Sequence, residues 1–192
     1  MKRIYASVIC ILTPVILQAK PALEIVLNSS QTTNPFGVAF DGKGTVYVAE
    51  YQGGRILHLN SEGKLRIFSG NGEKGFAGDG LDAGKAVYNG MHNVVRTSNG
   101  DLYVSDTRNN LIRKIDGKTG LVSTIAGVPR QKGFSGDGGQ ATRAKLSDPI
   151  SISLSPDEKT LLIADIKNRR IRGVDLASGV IRTLAGNGDK GL

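Results

Sequence analysis

The chain has 192 residues, a length that suits one domain, and its 39% hydrophobic and 22% charged residues allow a packed core and argue against disorder. Its 26 glycines are about twice the usual share of ~7%, yet they follow no three-residue period, which excludes collagen. The formal charge is +8, from 25 Lys and Arg against 17 Asp and Glu, and aromatic residues make up 5% with no Trp, so an extended aromatic stacking surface for sugars or bases is not expected.

The first element in chain order is a targeting segment. Met1-Lys-Arg3, the apolar run Ile4 to Leu17 and the small residue Ala19 form the pattern of a secretory signal peptide. The run is shorter than the ~20 residues a spanning helix needs. Cleavage after Ala19 is expected, leaving residues 20–192 as the exported domain, periplasmic or extracellular. Cys10 is the one cysteine and leaves with the segment, so no disulfide is expected to hold the fold.

Three repeats follow. Gly44-Thr-Val-Tyr-Val-Ala-Glu50, Gly100-Asp-Leu-Tyr-Val-Ser-Asp106 and Lys159-Thr-Leu-Leu-Ile-Ala-Asp165 align, with their last residues 56 and 59 positions apart. Each is preceded by a short apolar run (Phe36–Phe40, Asn93–Arg96, Ile150–Leu154). Each is followed by a third run (Arg55–Leu59, Leu111–Ile115, Arg170–Val174) and a fourth ending in Gly70, Gly127 or Gly186. Runs of this length rich in Val, Ile, Leu and Tyr and bounded by Gly, Asn, Asp and Ser predict strands. Asp41-Gly-Lys-Gly44 and Ser98-Asn-Gly100 supply the positive φ that hairpin turns demand. Four strands per repeat cannot cover both their faces alone and must stack on neighbours. The fold class is all-β, in propeller blades over about 34–80, 88–138 and 146–192.

Asn34-Pro-Phe-Gly-Val-Ala-Phe-Asp41 with Val46–Glu50 and Arg55-Ile56, together with Asp106-Thr-Arg-Asn109 and Asp165-Ile-Lys-Asn168-Arg-Arg170-Ile, resemble the NHL repeat. Gly75-Phe-Ala-Gly-Asp-Gly80, which recurs as Gly133-Phe-Ser-Gly-Asp-Gly138, is similar to the inter-blade loop of many bacterial NHL proteins. The resemblance implies a six-bladed ring. Three repeats then stand for half of one, and fewer than the roughly four blades with which propellers begin. The expectation is a piece of a larger propeller, or a homodimer that completes the ring, with Leu23–Leu27 as an outer strand of a further blade.

Three groups of residues are candidates for function. Glu50, Asp106 and Asp165 close the second strands, with Asn109 and Asn168 three residues later; they read as turn residues whose carboxylates accept backbone N–H groups. Asp79, Asp82 and Asp137 lie in glycine-rich loops without the alternating acids and closing Glu of a calcium loop. His92 interrupts the repeat where the other blades carry Asn34-Pro35 and Asp148-Pro149, so His92, Asn34 and Asp148 are the candidate ligand-binding set near a channel axis, and a divalent metal is the cofactor such a set would take. Arg108, Arg113, Lys114, Lys167, Arg169, Arg170 and Arg172 form a basic stripe on the third-strand side, suited to anionic glycans. An exported chain is not expected to meet nucleic acid. No catalytic residues are assigned. The reading is a recognition scaffold for a protein, peptide or anionic glycan; the alternatives are a metal-dependent, lactonase-like hydrolase or lyase around His92, and a truncated propeller without a function of its own.

Overall fold

The structure, a computed structural model, describes residues 30–190. The signal segment at 1–19 and the strand expected at Leu23–Leu27 lie outside the described residues. Twelve strands form three antiparallel sheets. The first contains β1 (Pro35–Phe40), β2 (Val46–Glu50), β3 (Ile56–Leu59) and β4 (Leu65–Ser69); the second β5 (Met91–Arg96), β6 (Leu102–Asp106), β7 (Leu111–Ile115) and β8 (Val122–Ala126). The third contains β9 (Pro149–Leu154), β10 (Thr160–Asp165), β11 (Arg170–Asp175) and β12 (Ile181–Ala185). Each sheet is a meander in chain order, a propeller blade. The only helices among the described residues are single 3-10 turns.

The blades stack because each strand alternates between two apolar faces. Ala39, Tyr47, Ala49 and Ile56 of the first blade meet Met91, Val94, Leu102 and Val104 of the second. Tyr103 and Ile112 of the second meet Ile152, Leu161 and Ile163 of the third. The first strands lie side by side along one edge of the stack. Gly37 permits that approach: a Cβ there would stand 2.7 Å from the Asn93 Cα and 2.8 Å from the His92 carbonyl oxygen, so β1 rests directly on the backbone of β5. Irregular register at the start of each first strand, between Pro35 and Gly37, between Met91 and Val94, and opposite Ala164 and Asp165, is the mark of a bulge that turns the strand end.

The glycine-rich linkers are part of the next blade's edge. Residues 80–83 pair with β8: the Gly80 N–H donates to Val122 O at 2.7 Å, and the Val122 N–H donates to Leu81 O at 2.9 Å. Residues 138–141 repeat this on β12, where Gly138 N–H donates to Ile181 O at 2.8 Å and Ile181 N–H to Gly139 O at 3.0 Å. The outer strands of the second and third blades therefore carry no open edge along these residues.

Candidate functional site

One end of the blades, where each first strand begins and each second strand ends, gathers nearly all of the residues singled out in the sequence. Its foundation is a staple repeated in the second and third blades. Asp106 accepts the Asn89 N–H at 2.7 Å and the Asn109 side-chain amide at 2.8 Å, while that amide also donates to Gly75 O at 2.6 Å. Asp165 and Asn168 do the same, with Ser147 N–H at 2.7 Å, the Asn168 amide at 2.7 Å and Gly133 O at 2.7 Å. The backbone N–H groups thus come from the linker arriving before the blade, not from the turn after the strand. The carboxylate holds the linker's exit and the Asn its start.

Beneath the staple lies an arginine. Arg113 is fully buried, with Nη2 2.7 Å from Asp79 and Nη1 3.7 Å from Asp106, its guanidinium 4.9 Å from the Phe76 ring. Arg172 repeats this against Asp137 at 2.6 Å, Asp165 at 3.4 Å and Phe134 at 4.9 Å. Asp79 and Asp137 are therefore occupied by arginines, not disposed for calcium, and Arg113 and Arg172 are withdrawn from the expected basic stripe. Lys114 pairs with Asp101 at 2.7 Å. The sequence signal for these arginines was available: each directly follows an isoleucine in a strand and occurs with a preceding Gly-Asp-Gly loop, whereas Leu57 holds the matching position in the first blade. That blade uses a different staple. Glu50 is gripped by Arg55 through Nε at 2.7 Å and Nη2 at 2.9 Å, and Gly53 replaces Asn because a Cβ there would lie 2.0 Å from Glu50 Oε2.

The structure shifts the alignment of the His92 region by one residue. β1, β5 and β9 begin at Pro35, Met91 and Pro149, and the residues before them, Asn34, Gly90 and Asp148, all have positive φ of 51°, 64° and 52°. Asn34 and Asp148 are thus turn residues matched by Gly90, and His92 corresponds to Phe36 and Ile150. Asn34 accepts the Tyr51 N–H through its carbonyl at 2.9 Å; the Asp148 N–H donates to Asn110 Oδ1 at 3.0 Å. No hydrogen bond joins either side chain to His92 among the described residues, and no group of three His, Cys, Asp or Glu there is placed to hold a metal.

His92 instead sits in an aromatic and cationic cluster. Its ring centroid lies 4.7 Å from Phe36, edge-on, and 4.7 Å from Tyr51. The Tyr51 hydroxyl takes a 2.5 Å hydrogen bond from Arg108 Nη2, and the same guanidinium lies 5.1 Å from the Tyr51 ring, within cation–π range. Gly90 leaves room for the Arg108 stem, which would stand 2.7 Å from a Cβ there. Phe36 is 60% exposed, and Arg108 is exposed and pairs with no carboxylate among the described residues. Burial, with help from Arg108, holds the imidazole below the ordinary histidine range. Lys167, exposed on the matching 3-10 turn of the third blade, extends the positive charge. Sequence reasoning found His92, and Arg108 only as part of the basic stripe, but not Phe36 or Tyr51, because these residues come from separate segments and only stacking of two blades brings them together.

No protein-family model matches the chain. NHL repeat-containing protein 2 of Gallus gallus is 28% identical over 180 residues, covering 81% of this chain and 24% of its own length. Among solved structures, a protein of unknown function from Bacteroides thetaiotaomicron VPI-5482 superimposes with a TM-score of 0.65 at 18% identity, over 84% of this chain and 38% of its own. An auxiliary nutrient binding protein from Bacteroides ovatus ATCC 8483 superimposes with a TM-score of 0.59 at 18% identity, over 81% and 37%. The chain thus spans about a quarter of that relative and under two fifths of either structure. At such identities the structural likeness speaks for the fold.

Proposed function

We propose that this run of NHL-type β-propeller blades is an exported binding scaffold whose recognition surface is the end of the blades bearing Phe36, Tyr51, His92 and Arg108. Residues 1–19 act as its signal peptide and 20–192 as the propeller segment. No helix among the described residues is long and apolar enough to cross a membrane. The observation that carries the reading is the cluster itself: an exposed Phe and an Arg without a carboxylate partner among the described residues, set on backbone that the staples fix. Aromatic and Arg side chains are the types enriched at binding hot spots, and a site held on rigid strand ends binds with less ordering cost than one on mobile loops. The ligand classes that suit an aromatic wall beside positive charge are a protein, a peptide or an anionic glycan.

The test is to probe peptide and glycan arrays with the full chain and with the Phe36→Ala/Arg108→Ala variant. The scaffold reading expects a ligand that the variant loses while its melting temperature is retained. Binding that the variant keeps would place recognition elsewhere.

A further inference from the structure

Hydrogen-bond accounting fixes which nitrogen of His92 carries the proton. Thr107 Oγ1 lies 2.7 Å from Pro149 O and 2.9 Å from His92 Nδ1. A carbonyl only accepts, so the single hydroxyl proton of Thr107 goes to Pro149. His92 Nδ1 must then be the donor to Thr107, which leaves Nε2 as the acceptor in the neutral ring. The Gly90 backbone is a second hydrogen-bond partner of the ring. The patch therefore offers one lone-pair acceptor, one guanidinium without a carboxylate among the described residues, and two aromatic rings, within a few ångströms of one another.

Resting on the binding-scaffold reading, we infer that this patch takes the carboxyl-terminal end of a peptide whose last residue is aromatic or large and aliphatic. The terminal carboxylate meets Arg108, whose planar fork of donors matches a carboxylate. The last side chain lies on Phe36 and Tyr51. A peptide N–H donates to His92 Nε2. Each group of the patch finds one complement on such a terminus. A sugar acid would match Arg108 but leave its hydroxyls facing two ring surfaces with a single acceptor between them. An internal acidic segment would supply the charge but not the apolar end beside it.

The probe is N-acetyl-Gly-Gly-Phe as the free acid, compared with its carboxyl-terminal amide and with N-acetyl-Gly-Gly-Lys free acid, titrated into the full chain by calorimetry. The free acid should bind about tenfold or more tightly than the amide, as expected for losing a charge-assisted hydrogen bond, and more tightly than the Lys acid, which keeps the carboxylate but not the apolar end. Arg108→Gln should abolish the difference between acid and amide. His92→Phe should weaken the acid while keeping the apolar contact, and nitrogen NMR of the free chain should find His92 protonated at Nδ1. Equal affinity for acid and amide, or protonation at Nε2, would overturn the inference. If the acid fails while an array ligand is lost on Phe36→Ala/Arg108→Ala, the ligand class falls and the scaffold reading stands. If nothing binds at this patch, both fall.

Discussion

Asp106 shows how one residue joins sequence, stability and pH. It closes a second strand, so its carboxylate is buried on arrival, and burial lifts it to about 7 against the Asn109 amide, the Asn89 N–H and Arg113. Asp79 is the nearer partner of Arg113, so the buried cation stays paired when Asp106 takes a proton. In the unfolded chain an Asp titrates near ~3.9. Between the two values the folded state keeps a proton that the unfolded chain has released. The stability from this group is fully present below about pH 4 and is lost as pH rises through about 7. His58 and His92 are both held low by burial and act in the opposite sense over part of that range. The clean quantity is therefore the stability of the native chain minus that of Asp106→Asn. By urea unfolding this difference should shrink from pH 4 to 7 and be flat above; a difference independent of pH would contradict the account.

At the scale of the element, the blade is where the sequence was most legible. Tyr47, Val48 and Ala49, Tyr103, Val104 and Ser105, and Leu161 to Ala164 pair in the second strands as their alternation demanded. What strand periodicity could not say is that two linkers would pair with the outer strands of the blades they introduce. Nor could it show that the closing acids would reach back 17 or 18 residues to the linker. Those contacts depend on non-local closure, and only the co-occurrence of Gly-Asp-Gly with Arg113 and Arg172 hinted at it. The same limit hid the proposed patch: Asn34 and Asp148 were assigned to the site from their place beside Pro, whereas positive φ makes them the partners of Gly90, and the residues beside His92 come from other segments. A prediction at this scale concerns the joint between blades. Gly37→Ala should cost about 2 kcal/mol in chemical unfolding, because its Cβ would strike the backbone at Asn93 and His92 and overpacking of this kind typically costs ~1–3 kcal/mol. An unchanged midpoint would mean that β1 does not rest on β5 as described.

The whole molecule has two apolar faces that its own joints bury elsewhere. Val38 is 54% exposed although its counterparts Val94 and Ile152 are 1% and 4% exposed, and Ile171 is 39% exposed although Ile56 and Ile112 are fully buried. Phe40 and Ile67 flank the first face, Ile166 and Leu184 the last. Surfaces of this composition seek cover, and a second copy offers each face its complement. The full chain should show concentration-dependent association in sedimentation equilibrium, weakened by Phe40→Glu with Leu184→Glu; a strictly monomeric chain at high concentration would contradict this. The proposed recognition surface depends on the same stacking, since Phe36 and Tyr51 come from one blade and His92 and Arg108 from the next. The measurement that tests this claim most directly is amide and side-chain NMR mapping of the full chain during titration with a ligand found on the arrays. The account predicts shifts concentrated at Phe36, Tyr51, His92 and Arg108. Shifts confined to the opposite end of the blades, around Asp101, Lys114 and Glu158, would contradict it.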